Sequence, residues 1–249
     1  MIDTLHLFFF TKAPRPGKVK TRLAVDIGHE AAARLHASFV RTLHQTLERF
    51  AGTCTQAARV NLILARADAT HHPLLDDVIL GSQFGLPDGS QGHWVEHVQQ
   101  GEHLGIRLQH ALDALKLGEG HKDAVIIIGS DSPTLECEKL EQATALLQSH
   151  DVVIGPSFDG GYYLIGLSSD LNQSFFQDIS WSTSRVLHQT LQKCKEHALS
   201  VALLDFWYDV DTKDDLELLQ THLLDYIVAS TGSQHYSDVV EALAEFDRM

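Results

Sequence analysis

Three short stretches are apolar without the every-other-residue alternation of a half-exposed strand: residues 5–11 (LHLFFFT), 60–65 (VNLILA) and 124–128 (AVIII). Such runs suit strands buried on both faces, as in a parallel sheet covered by helices on each side. Helical periods separate them. Leu35, Phe39, Leu43, Leu47 and Phe50 recur at spacings of three to four, and Leu104, Leu108, Ala111, Leu112 and Leu115 do the same. Further helices are expected over about 136–147, 183–197 and 214–229, with strands over 152–154, 162–167 and 201–206. This alternation predicts an α/β fold with a mostly parallel central sheet and helices on both faces. Residues 67–102 are patterned weakly; a strand at 78–80 and a glycine-rich stretch over 81–92 are the expectations there.

The chain has 249 residues, 44% of them hydrophobic, enough for one sizeable core. No linker-like or repetitive tract divides it, so one domain is expected over residues 1–230, with residues 231–249, after Thr231-Gly232-Ser233, as a C-terminal helical extension of that domain. The first apolar run is too short to span a membrane and no basic leader precedes it, and Cys54, Cys137 and Cys194 are odd in number and widely spaced. These features predict a cytoplasmic chain with no membrane partner and no disulfide framework. Sixteen histidines are scattered without a zinc-binding pattern; the His93 and His97 pair is weak evidence for one.

Net charge is −14, which disfavours nucleic acid as a partner. One segment runs against that average: Lys12, Arg15, Lys18, Lys20 and Arg22 fall within eleven residues that contain no acid. The segment directly follows the first expected strand, where open α/β sheets bind ligands. Pro14 and Pro16 stiffen it and Gly17 permits close backbone approach, so it suits a small anionic ligand, although a solvated basic loop would read the same way. It is neither a Walker A loop nor a GxGxxG fingerprint.

Asp131 follows the most apolar strand, within Gly129-Ser130-Asp131-Ser132-Pro133. A carboxylate there can ligate a hard divalent cation that takes its other oxygens from diphosphate and water, or can cap the helix after Pro133. Asp209 and Asp211 lie at another strand-to-helix junction, and their spacing puts both on one side of an extended segment. There Asp211 or Thr212 could equally be an N-cap. Asp159-Gly160-Gly161 reads as a hairpin turn, beside Tyr162 and Tyr163, which could pack on a sugar or base. Trp181-Ser182-Thr183 is expected to open a helix.

Taken in order, FFFTKAPRPGKVKTRLA, QGEHLGIRL, IIIGSDSPTL, VVIGPSFDGGYYLIGL, ISWSTSRVL and DVDTKDDLELL resemble the nucleotide-diphospho-sugar transferase superfamily. The sequence is similar in particular to a bacterial family of small, GT-A-like, radical-SAM-associated glycosyltransferases, some linked to arsenosugar biosynthesis, and more distantly to the guanylyltransferases of cofactor assembly. The resemblance implies a GT-A-like fold in which Lys12, Arg15, Gly17, Lys18, Lys20, Thr21 and Arg22 contact a nucleoside diphosphate. It implies Mg²⁺ or Mn²⁺ held by Asp131 and Asp211. It also implies a substrate pocket drawn from Gln100, Gly105, Arg107, Ser130, Gly160, Gly161, Tyr162 and Trp181, with Asp159 the candidate catalytic group. His103 departs from the pattern, standing where an Asp precedes Leu-Gly.

The expected partners are a nucleotide sugar, or an NTP, and a small-molecule acceptor. Glycosyl transfer leads. Nucleotidylyl transfer with release of pyrophosphate is the alternative, and non-catalytic sugar-nucleotide binding a third.

Overall fold

A computed structural model describes residues 1–67, 69–81, 83–115, 122–168, 175–223 and 234–246. A seven-stranded sheet forms the centre. In chain order its strands are β1 (Ile2–Thr11), β2 (Ala57–Arg66), β5 (Val95–Val98), β6 (Ala124–Ile128), β7 (Val152–Pro156), β8 (Tyr162–Ser168) and β9 (Val201–Leu203); β3 (Gln83–Gly85) and β4 (Gln91–His93) form a separate hairpin. The spatial order is β5-β2-β1-β6-β8-β7-β9. Only β8 runs antiparallel to its neighbours.

The uninterrupted apolar runs follow from this geometry, because successive side chains of a strand enter opposite layers. Leu5, Leu7 and Phe9 of β1 enter one core with Leu62, Leu64, Ile126 and Ile128, while Phe8 and Phe10 enter the other with Ile63, Ala65, Val125 and Ile127. Two helices cover the first face: α2 (His29–Thr53), which follows the one-turn α1 (Ala24–Ile27), through Leu43, Leu47 and Phe50, and α5 (Cys137–Leu146), through Leu140 and Ala143. The second face is covered by α4 (Leu104–Ala114), through Leu108 and Ala111, and α6 (Val186–Glu196), through Cys194. A third cluster joins Leu35 and Phe39 of α2 to α7 (Lys213–Thr221), through Leu216 and Leu219, and to the C-terminal α8 (Ser237–Phe246), through Val239 and Leu243. Residues 224–233, which include the end of the expected 214–229 helix and Thr231-Gly232-Ser233, lie outside the described residues.

Three local expectations are corrected. Residues 78–80 are helical, in α3 (Pro73–Gly81), not a strand. Proline suits the first helical position, and Leu75 and Val78, one turn apart, both enter the first core. The strand expected over 201–206 stops at Leu203; Leu204, whose N–H still bonds the Ile154 carbonyl, is buried in the first core. Trp181-Ser182-Thr183 lies within a turn and does not open a helix, for Ser182 has a positive φ of 62° and α6 begins at Val186.

All three cysteines are free and buried. No helix among the described residues is long and apolar enough to cross a membrane.

Candidate functional site

The strand order places β2 on one side of β1 and β6 on the other, so chain direction across the sheet switches at β1. Crevices at such switch points, outside the carboxyl ends of the strands, are where open α/β sheets bind ligands. Phe9 of β1 pairs with Ile128 of β6, which makes the basic loop after β1 and the Asp131 turn after β6 neighbours. The Asp209–Asp211 segment is drawn to the same place by a backbone bond from Val210 N–H to the Asp131 carbonyl, 2.9 Å long.

These loops enclose a cleft of about 1050 Å³. Of the expected site residues, Lys12, Lys18, Lys20, Thr21, Arg22, Arg107, Ser130, Asp131, Asp159, Gly161, Tyr162, Trp181 and Asp211 line it. Arg15, Gly17, Gln100, Gly105 and Gly160 do not. Arg15 donates instead to the backbone carbonyl of His71 at 3.1 Å, and Gln99, not Gln100, reaches the wall. Gly105 lies behind the wall, where an added Cβ would meet the Trp181 indole and come within 2.9 Å of the Phe176 carbonyl. His103 lines the cleft as well.

Lys20 is the hinge of the arrangement. Buried Val19 and Leu23 anchor the loop on either side, and Lys20 takes a positive φ of 45°, unusual for a residue with a side chain. Its side chain is 1% exposed and the ammonium lies 5.5 Å from the centroid of Phe39. Nζ donates to Oδ1 of Asp131 and, at 3.1 Å, to Oδ1 of Asp211. Burial alone would lower the Lys20 pKa, but the two carboxylates outweigh it and hold the ammonium above its ordinary range. Burial would likewise raise Asp131, and the Lys20 charge turns that shift downward. The Asp131 and Asp211 side chains remain 47% and 44% exposed, and Arg22, 73% exposed, stands 3.9 Å from the second oxygen of Asp211.

The capping alternatives resolve in favour of open carboxylates. Thr212, not Asp211, caps α7, in a reciprocal box with Asp215. The N-cap of α5 is Glu136, so Asp131 does not serve that helix.

Asp209 also lines the cleft and accepts a 2.5 Å bond from the Ser132 hydroxyl. Burial pushes it up to about 7 against that bond, with the charges of Asp131 and Asp159 adding to the rise. Asp159 closes the hairpin between β7 and β8, its Oδ1 accepting from the Ser157 hydroxyl and, at 2.8 Å, from Gly161 N–H. Gly160 makes that turn possible. Its φ is +88°, and an added Cβ would fall on the Ser184 carbonyl and 2.7 Å from Ser184 Cα. Gly160→Ala is therefore expected to destabilise the fold by about 1–3 kcal/mol and to misplace Asp159; chemical denaturation checks the first effect and an activity assay the second.

His36, on α2, was missed from sequence. It is 3% exposed and its Nε2 lies 3.1 Å from the Lys12 carbonyl, so that nitrogen carries the proton and ties the helix to the basic loop. Burial lowers its pKa from 6.5 to about 4, with Lys20 adding to the fall and Asp131 opposing it. The folded imidazole is neutral where the unfolded one takes up a proton, so this stability is complete above pH 6.5 and lost as pH falls towards 4. Over that window the wild type is expected to lose ~3 kcal/mol more than His36→Gln. Denaturant midpoints at several pH values measure the difference, from which Asp209, common to both proteins, cancels.

The donor chemistry of the cleft suits a hard cation. Among the described residues no group of three or more His, Cys, Asp or Glu is placed to hold a metal, and His93 and His97 lie in different strands. Asp131 and Asp211, however, both reach the Lys20 ammonium and so lie close together, and two carboxylates are the set Mg²⁺ or Mn²⁺ uses when phosphate and water supply the remaining oxygens.

No curated protein matches the chain. A solved structure from Desulfovibrio desulfuricans G20, provisionally named a nucleotide-diphospho-sugar transferase, is 32% identical, with a TM-score of 0.78 over 100% of this chain and 98% of that one. The fold is also similar to that of 4-diphosphocytidyl-2C-methyl-D-erythritol synthase from Anaerococcus prevotii DSM 20548 (11% identity, TM-score 0.53, 88% and 98% covered). A cytidylyltransferase from Leptospira borgpetersenii serovar Hardjo-bovis is similar too (10% identity, TM-score 0.51, 100% and 96% covered). The model of the family described as "Uncharacterized protein conserved in bacteria (DUF2064)" matches residues 42–183, more than half of the chain, and the chain belongs to that family.

Proposed function

We propose that the chain transfers the glycosyl group of a nucleoside diphosphate sugar to a small hydroxyl acceptor. The observation that carries this reading is the convergence of the basic loop with the Asp131 and Asp211 carboxylates in one cleft. Lys12, Lys18 and Arg22 present cations to the diphosphate, and Arg can fork onto its oxygens. The wall as a whole is close to balanced, with Lys12, Lys18, Lys20, Arg22 and Arg107 set against Glu102, Asp131, Asp159, Asp209 and Asp211. Net wall charge thus gives a multiply charged anion little attraction, which favours a divalent cation entering with it.

Asp131 and Asp211 would hold that Mg²⁺ or Mn²⁺, which when bound supplies charge neutralisation at the diphosphate. The bond from the sugar's anomeric carbon to the diphosphate oxygen breaks and a bond to the acceptor oxygen forms. The acceptor proton passes to Asp159, and the basic loop stabilises charge on the departing diphosphate. Tyr162 and Trp181, edge-to-face at 6.5 Å between centroids, offer ring surface to the sugar or base.

Product analysis tests the reading. With a panel of nucleotide sugars, NTPs and acceptors, release of nucleoside diphosphate from a sugar donor is the expected result. Release of pyrophosphate from an NTP would replace glycosyl with nucleotidylyl transfer, for which the same loop and carboxylates would serve. Nucleotide binding without turnover of either would leave a sugar-nucleotide-binding protein.

A further inference from the structure

Lys20 Nζ lies where a cation shared by Asp131 and Asp211 belongs, bonded to one oxygen of each carboxylate. An ammonium and a divalent cation cannot share that position, since both need the same oxygen lone pairs and their charges repel at contact distance. The side chain is built into the site: its residue is held in a left-handed backbone conformation, its ammonium is almost wholly buried, and Phe39 covers it. The carboxylates, by contrast, are half open to the cleft, and no third acidic or imidazole ligand stands by among the described residues to help a metal displace the lysine. Lys18, Thr21 and Arg22, flanking Lys20, line the same cleft, so a diphosphate held by them has its oxygens beside the ammonium.

We propose that Lys20 is a built-in competitor of the divalent cation, occupying the Asp131–Asp211 pair until phosphate oxygens draw its ammonium away. The inference rests on the transferase reading above and adds an order to it: the protein without nucleotide binds metal poorly, and the metal is taken up together with the phosphate ligand. By linkage, the factor by which phosphate improves metal affinity is the factor by which metal improves phosphate affinity.

Mn²⁺ alone is the probe, with bound and free ion separated by electron paramagnetic resonance. Wild type, Lys20→Met and Lys20→Gln are titrated without nucleotide, after their thermal unfolding has been compared. Lys20→Gln keeps a hydrogen-bond donor for the carboxylates, so the comparison survives if the methionine variant fails to fold. The expected result is Mn²⁺ affinity at least about tenfold higher in the lysine variants than in the wild type. Adding Asp131→Asn to Lys20→Met should abolish the gain. In the wild type, a nucleoside diphosphate should convert weak Mn²⁺ binding into a tight ternary complex, read as water-proton relaxation above that of Mn²⁺-nucleotide alone.

Equal affinity in wild type and lysine variants, with Asp131→Asn still weakening it, would overturn the competition and leave the metal reading standing. No bound Mn²⁺ in any protein, with nucleotide or without, would overturn both.

Discussion

Asp131→Ala is expected to lower turnover of the donor identified by product analysis about a hundredfold or more, with the fold intact. The carboxylate it removes stands just beyond the carboxyl end of β6, a strand buried at every position, lines the cleft and bonds Lys20, so under the proposed function both cation and phosphate placement lose a partner. Lys20 keeps Asp211, which is why the fold survives. Asp211→Ala is expected to act in the same direction. Asp205→Ala is the control, since that side chain is 85% exposed, pairs with Lys139 and does not line the cleft. Steady-state kinetics on the three variants decide the matter; equal losses in all three would mean that the effect comes from destabilisation.

Removing both carboxylates together should have a different and larger effect on stability. Each single ion pair involves a half-exposed carboxylate and is individually worth little. The double variant Asp131→Asn/Asp211→Asn, however, strands a buried ammonium with no charged partner, a situation that costs ~3–5 kcal/mol. The double is therefore expected to lose clearly more than the two singles combined, and adding Lys20→Met should restore most of the loss. Chemical denaturation of the five proteins measures this; simple additivity, or no recovery on removing the lysine, would show that the ammonium does not depend on the pair.

The sheet and both its helical layers were legible because burial on two faces forces apolar side chains at consecutive positions, as in residues 124–128, and because such runs alternate along the chain with helical periods. Residues 78–80 misled because Val, Ile and Leu in a row suit a strand or a buried helix equally, and only Pro73, at the first helical position, signalled the difference. In the site, the basic loop and the acidic turns were legible because they directly follow strands. What the sequence could not separate was residues of one type within one segment. Lys18 is exposed and Lys20 buried, while Arg15 turns away to backbone carbonyls; these outcomes depend on how Val19 and Leu23 anchor the loop. Asp209 and Asp211 differ likewise, through Ser132 and Lys20, partners 77 and 191 residues away along the chain. His36 sat unnoticed inside a helical period, since the pattern that identifies α2 says nothing of a residue beside the apolar stripe that faces a loop 24 residues earlier.

The proposed function requires that cations from the start of the chain and carboxylates from its middle and end, which line one cleft, receive the same phosphate. Isothermal titration of nucleoside diphosphates and nucleotide sugars, with and without Mn²⁺, against wild type, Arg22→Ala and Asp131→Ala measures this most directly. The expected result is saturable one-to-one binding that Mn²⁺ strengthens, that Arg22→Ala weakens about tenfold, and that loses its Mn²⁺ dependence in Asp131→Ala. Binding of every nucleotide left unchanged by either substitution, or no binding at all, would contradict it.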